Sequence, residues 1–160
     1  MISKKNPAWL EAHIELQNSM KKEIEVMREI LANMHQEEYF LLSNDKISKD
    51  HVVEERSLLL KRFHDIRNIR LSVTETLEEL SFPNSNAQNI SLEECLRGEG
   101  EDSCETLFLR DQLVAIFNRM TMQNSRNQLL SKLGLHQQLS ALQPVKKKII
   151  IETMPRKELE

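Results

Sequence analysis

Glycine and proline are nearly absent, 3 and 4 of 160 residues. Tight hairpins and glycine-rich phosphate loops need backbone conformations that glycine adopts at least cost, so a β-rich fold and most nucleotide-binding folds are disfavoured. Aromatic residues make up only 4% against 39% apolar residues, enough for a thin, largely aliphatic core. Neither sign of charge dominates: 22 Lys and Arg face 25 Asp and Glu, a net −3. This argues against a polybasic nucleic-acid binder and against an acidic solvating tail. No apolar run approaches the ~18 residues that would span a bilayer, so no stable membrane insertion is expected. The opening Met1-Ile2-Ser3-Lys4-Lys5-Asn6-Pro7 leads into no apolar segment, so no secretory leader is read and a cytoplasmic location is expected. The two cysteines, Cys95 and Cys104, fit neither a disulfide framework nor a four-ligand zinc pattern, and read as reduced thiols.

What is present is helical periodicity. Asn6 suits an N-cap and Pro7 the first helical position. Apolar residues follow at Leu10, Ile14, Met20, Ile24, Met27, Leu31 and Met34, in steps of four and three from Met20 onward, the spacing of a coiled-coil seam. Tyr39, Phe40, Leu41 and Leu42 extend that face and Ser43-Asn44-Asp45 ends it, giving a helix about 50 Å long. A second helix is predicted from a cap at Asp50, with a stripe of Leu59, Phe63, Ile66, then Ile69 or Arg70, then Val73, Leu77 and Leu80. It ends near Ser81, because Pro83 disfavours helix at Phe82.

Pro83 to Asn89 reads as a polar loop. Ser91-Leu92-Glu93-Glu94 fits a capping box opening a short helix, ended by Gly98 or Gly100. A third long helix is predicted from about Ser103 to Ser131 or beyond, with Leu109, Leu113, Ile116, Met120, Gln123, Asn127 and Leu130 on its stripe and Gly134 as a candidate break. Leu135, Leu139 and Leu142 add a further amphipathic stretch. The fold expected is all-α: an elongated antiparallel bundle of three long helices with a short extra helix between the second and third. It occupies residues 1–143, with 144–160 as a flexible C-terminal tail. Charge is uneven, since residues 1–111 hold 14 basic against 22 acidic groups, a net −8, and residues 112–160 hold 8 against 3, a net +5.

Catalytic constellations are missing. His13, His35, His51, His64 and His136 are preceded three positions earlier by Leu10, Ala32, Ser48, Lys61 and Leu133, never by Glu, so no di-iron helix motif occurs. No His-Glu-x-x-His occurs either, and Gly98 and Gly100 form a lone Gly-x-Gly. His64 and Asp65 are chain neighbours facing different ways, and Glu37-Glu38 reads as a solvated face flanked by His35. No enzyme activity, metal or cofactor is therefore expected. Trp9 reads as a packing anchor at a bundle end, with an exposed partner contact as the alternative. The seven methionines, among them Met20, Met27, Met34, Met120 and Met122, suit either core filling or a surface that repacks on partners. Lys146-Lys147-Lys148 has no aromatic neighbour to stack on bases, so no nucleic acid is expected. Ile149-Ile150-Ile151 suits a segment that orders on a partner.

The stretch Asn124-Ser125-Arg126-Asn127-Gln128-Leu129-Leu130 resembles the Asn-x-x-Asn-x-x-Leu signature late in the last long helix of the FlgN-like flagellar export chaperones. The layout is similar over about residues 10–142: a Glu/Leu-rich first helix, a second with Lys61-Arg62 and Arg67, a Ser-Leu-Glu-Glu short helix and a long third helix. The Lys-rich, triple-isoleucine tail departs from that pattern. The resemblance implies a small cytoplasmic chaperone of a flagellar or virulence-type III secretion system. Such a protein binds a secreted hook-filament junction-type client before export and works near the export apparatus, as a monomer or small homo-oligomer. It also implies a partner surface of Leu130, Leu133, Leu135, Leu139 and Leu142, with the amides of Asn124 and Asn127 orienting that surface or pinning helix register. The alternatives are a structural coiled-coil adaptor or stalk of a secretion apparatus, and, for the leucines, closure of the bundle against Leu10 and Ile14.

Overall fold

The computed structural model describes the backbone of residues 6–84, 90–97 and 100–142, and side chains as far as residue 135. Over this range the chain is α-helical, in the order α1 (Pro7–Leu42), α2 (Lys46–Ser81), α3 (Leu92–Cys95) and α4 (Glu101–Leu142). No helix among the described residues is long and apolar enough to cross a membrane. The tail from Pro144 to Glu160, read above as flexible, lies outside the described residues.

Each helix start has a local cause. The Asn6 side chain accepts the Ala8 N–H at 3.1 Å, and Pro7 occupies the first turn without losing a donor. The cap of α2 is Asp45, not Asp50: its carboxylate accepts the Ser48 N–H at 3.0 Å and the Ser48 hydroxyl at 2.7 Å. The turn before it is closed by Asn44 with φ of 57°, in the left-handed region that asparagine tolerates. The capping box at Ser91 is formed in both directions with Glu94. Helix α3 stops at Cys95, before either glycine, and Cys95 and Leu96 turn into the core, each 2% exposed. Helix α4 starts at Glu101, earlier than Ser103, and runs unbroken through Gly134.

Close backbone approach joins α1 to α2, α1 to α4 and α2 to α3. Helix α1 is thus the shared partner of both other long helices, and its sequence shows how. The same three positions are buried in each heptad, Trp9, Ala12, His13; Leu16, Ser19, Met20; Glu23, Val26, Met27; Ile30, Asn33, Met34, and Ile24 is buried as well. A stripe this wide serves two neighbours where a two-residue seam serves one. Leu10 and Ile14, expected on the stripe, are 46% and 59% exposed, and Ile30 rather than Leu31 holds the fully buried place. Tyr39 and Leu42 also point to solvent. The apolar-only pattern slipped because polar residues occupy seam positions.

On α2, Val52, Phe63, Val73 and Leu77 are buried, with Leu59, Ile66 and Leu80 packed beside them. Of the pair left open, Ile69 is exposed and Arg70 turns inward to an ion pair with Glu23. The α1–α2 pairings are Asn33 with Val52 and Arg56, Glu23 with Arg70, and Trp9 with Ser81, whose hydroxyl accepts the indole N–H at 2.8 Å. On α4, Leu109, Ile116, Met120, Gln123 and Asn127 of the expected stripe are buried, Leu113 and Leu130 are half-buried, and Thr106 is added at its start. His13 meets Thr106 at 2.7 Å and Asn127 meets Met34 at 2.8 Å, both ninety-three positions apart. Numbering therefore rises together on α1 and α4, which places Leu135 level with the Ser43 turn and not near Leu10 and Ile14. Those two residues do not pair with it.

Candidate functional site

The far end of α1 carries a connected polar network reaching both neighbouring helices. Asn33 donates to the Val52 carbonyl at 2.9 Å and accepts from Arg56 at 2.8 Å. Arg56 also bonds Glu37, whose carboxylate accepts the Asn127 amide at 2.8 Å. Asn127 donates further to the Met34 carbonyl and accepts from Gln123 at 2.9 Å. Gln123 bonds Glu38 at 2.6 Å, and Arg126 closes the chain on the same carboxylate. No buried side-chain nitrogen or oxygen among the described residues lacks a partner. A fully satisfied network of this kind fixes one axial register, because a slip of one turn strands every member at once.

Glu37 and Glu38 are therefore not a solvated face: their side chains are 13% and 15% exposed. The Gln123 hydrogen bond, followed by the Arg126 hydrogen bond and charge, holds the Glu38 carboxyl below its ordinary value of 4.5 against the opposing effect of burial. His35 stands 3.9 Å from Glu38 on the exposed flank.

The sequence-predicted site residues divide. Asn127 is 3% exposed and pins register, whereas Asn124 points to solvent. Leu130 is half-buried; Leu133 and Leu135 are 50% and 57% exposed, and Leu129, not singled out in the sequence, is 59% exposed. Leu139 and Leu142 lie on the α4 backbone, with side chains outside the described residues. Beside this strip a cleft of about 250 Å³ opens between α4 and the α1–α2 turn, lined by Phe40, Leu41, Lys49, Leu130, Gly134 and Leu135. Three lysines, Lys46, Lys49 and Lys132, and one carboxylate, Asp45, share its lining with these apolar side chains. Arg56 and the two glutamates of the network carried one signal in sequence, their continuation of the α1 and α2 heptads beyond the apolar run.

No group of three or more His, Cys, Asp or Glu among the described residues is placed to hold a metal ion. Trp9 is a packing anchor, 2% exposed, its ring 5.0 Å from that of His13. No protein-family model, curated protein or solved structure matches this chain.

Proposed function

We propose that this chain is an export chaperone of the FlgN-like kind, an elongated antiparallel up-down-up bundle that holds a secreted hook-filament junction-type client soluble in the cytoplasm of a cell with a flagellar or type III secretion system. The single observation that supports it is the second half of α4. Asn127 is level with Met34, so at about 1.5 Å per residue α4 passes the end of α1 near Leu135 and continues to Leu142 without an α1 neighbour. Leu129 and Leu133, one turn apart just before that stretch, expose one apolar face, and Leu135 at its start is exposed beside the cleft. A client helix lying there would cover this surface through anchors spaced three and four apart. Leu130, Leu139 and Leu142 would extend the surface, and Asn127 would hold it in register.

The test pairs the full chain, a chain ending at Gly134, and the full-length Leu133→Asp/Leu135→Asp variant, each mixed with a purified hook-filament junction protein. The expected result is a defined complex with the full chain, lost in both altered forms while their helical circular dichroism persists. Binding that survives both changes, or self-association into long assemblies in place of a complex, overturns the reading; the second outcome indicates a structural stalk or adaptor.

A further inference from the structure

We propose that a second groove, between α2 and α4 midway along the bundle, receives one amphipathic helix of a partner protein that sets a carboxylate against Arg67. The groove has about 220 Å³ of space. Met27 and Glu23 of α1 form its floor, Phe63 and Arg67 stand on the α2 side, and Val114 and Phe117 stand on the α4 side.

Its chemistry is uneven in an informative way. Phe63 and Met27 are buried at 7% and 2% exposure, yet Val114 and Phe117 on the opposite lip are 55% and 52% exposed. A β-branched and an aromatic side chain thus stand in water beside an apolar floor, the arrangement of an uncovered packing surface. Two helices flanking a third leave the fourth corner of a four-helix bundle open, and a helix fills that corner. Lining residues recur at helical steps, Phe63, Arg67 and Arg70 on one wall and Leu113 and Phe117 on the other, matching a helix that docks through anchors three and four apart.

The charge names the occupant's flank. Arg70 is spent on Glu23 at the floor. Arg67 is exposed on the lip and forms no salt bridge among the described residues. A guanidinium in that position takes a carboxylate in a bidentate pair that also fixes the direction of the incoming helix. A polymer of diffuse negative charge would face a body whose first 111 residues carry net −8, whereas a helix needs one carboxylate in one place. Phe117 and Leu130 are about 20 Å apart along α4, so this groove is distinct from the α4 end strip and stands or falls independently of it.

The test uses the full-length chain and a fluorescein-labelled helical peptide of roughly 20 residues, a leucine stripe flanked by glutamates, beside a twin with lysines in their place. Fluorescence anisotropy is expected to show the glutamate peptide bound about tenfold more tightly. In the Leu133→Asp/Leu135→Asp background, which removes the α4 end strip as a second site for these peptides, Arg67→Glu is expected to invert that preference and Phe117→Asp to abolish binding of both peptides. Both changed groove residues are exposed, so the fold survives them. Equal affinity for the two peptides, indifference to Arg67→Glu, or no binding at all overturns the proposal. So does a wild-type dimer that Phe117→Asp makes monomeric, because the groove then belongs to a second copy of the chain.

Discussion

The side-chain amide of Asn127 donates to the main-chain carbonyl of Met34, 2.8 Å away and ninety-three positions earlier in the chain, and so fixes α4 to α1 at one height. Replacing Asn127 by alanine removes one of the two acceptors of the Gln123 amide and a donor from Glu37. A loss of about 1–3 kcal/mol is expected in urea denaturation. The same change at the exposed Asn124 is expected to cost no more than about 0.5 kcal/mol. Equal costs at the two asparagines would contradict the register role.

Trp9 is the chain's one tryptophan and is almost wholly buried. Its fluorescence is expected to be blue-shifted in the folded protein and to move red in step with loss of helical circular dichroism. Trp9→Ala is expected to cost about 3–5 kcal/mol. Ser81→Ala, which removes the hydroxyl that accepts the indole N–H at 2.8 Å, is expected to cost about 1 kcal/mol.

Gly134 occupies the next seam position after Leu130, and a Cβ built there meets nothing within 4 Å. Gly134→Ala is therefore expected to stabilise α4 by about 0.5–1 kcal/mol and to leave client binding intact. A thermal midpoint lowered by this change would reveal a hinge that the continuous helix does not show.

Acid is expected to loosen the bundle. Glu38 has its folded-state pKa below the ordinary 4.5, through Gln123 first and then Arg126, and Asp45 is likewise below 3.8 through its bonds from Ser48. For such a group the stabilisation is fully present above the unfolded value and is lost as pH falls through the lower folded value. Urea midpoints measured from about pH 7 to pH 3 should fall steadily below the ordinary carboxylate range. Glu38→Gln keeps the acceptor for Gln123 and removes the titration, so its midpoint should vary less over the same interval.

How much of this was legible in the sequence differs from helix to helix. Most of the α4 stripe is legible because Gln123 and Asn127 continue a heptad already set by Leu109, Leu113, Ile116 and Met120. On α1, Met20, Ile24, Met27 and Met34 are legible and buried, but His13, Ser19, Glu23 and Asn33 also sit on the seam, so a pattern built from apolar residues alone drifts to Leu10, Ile14 and Leu31. Polar seam residues are recognisable only once their partners are placed: Thr106, Arg70 and Arg56 lie 93, 47 and 23 positions away. Apolar periodicity points to Asp50 as the α2 cap; what decides is the pair of hydrogen bonds that the Asp45 carboxylate accepts from Ser48. The candidate client surface was visible as a run of leucines, whereas the Phe63–Phe117 groove was not, because it depends on how far two distant helices stand apart.

The shared position of α1 also sets an order of assembly. Asn33 and Arg56 are joined across a three-residue turn, so the α1–α2 hairpin closes cheaply as soon as both helices leave the ribosome, zipping from that turn toward Trp9 and Ser81. The flank of α1 that carries His13 and Met34 must wait for α4, which is synthesised after α2. Until then the nascent chain is a half-dressed hairpin with one sticky side. The slowest and most aggregation-exposed moment in the life of this protein is thus the docking of α4, the helix that also carries the surface proposed for its client.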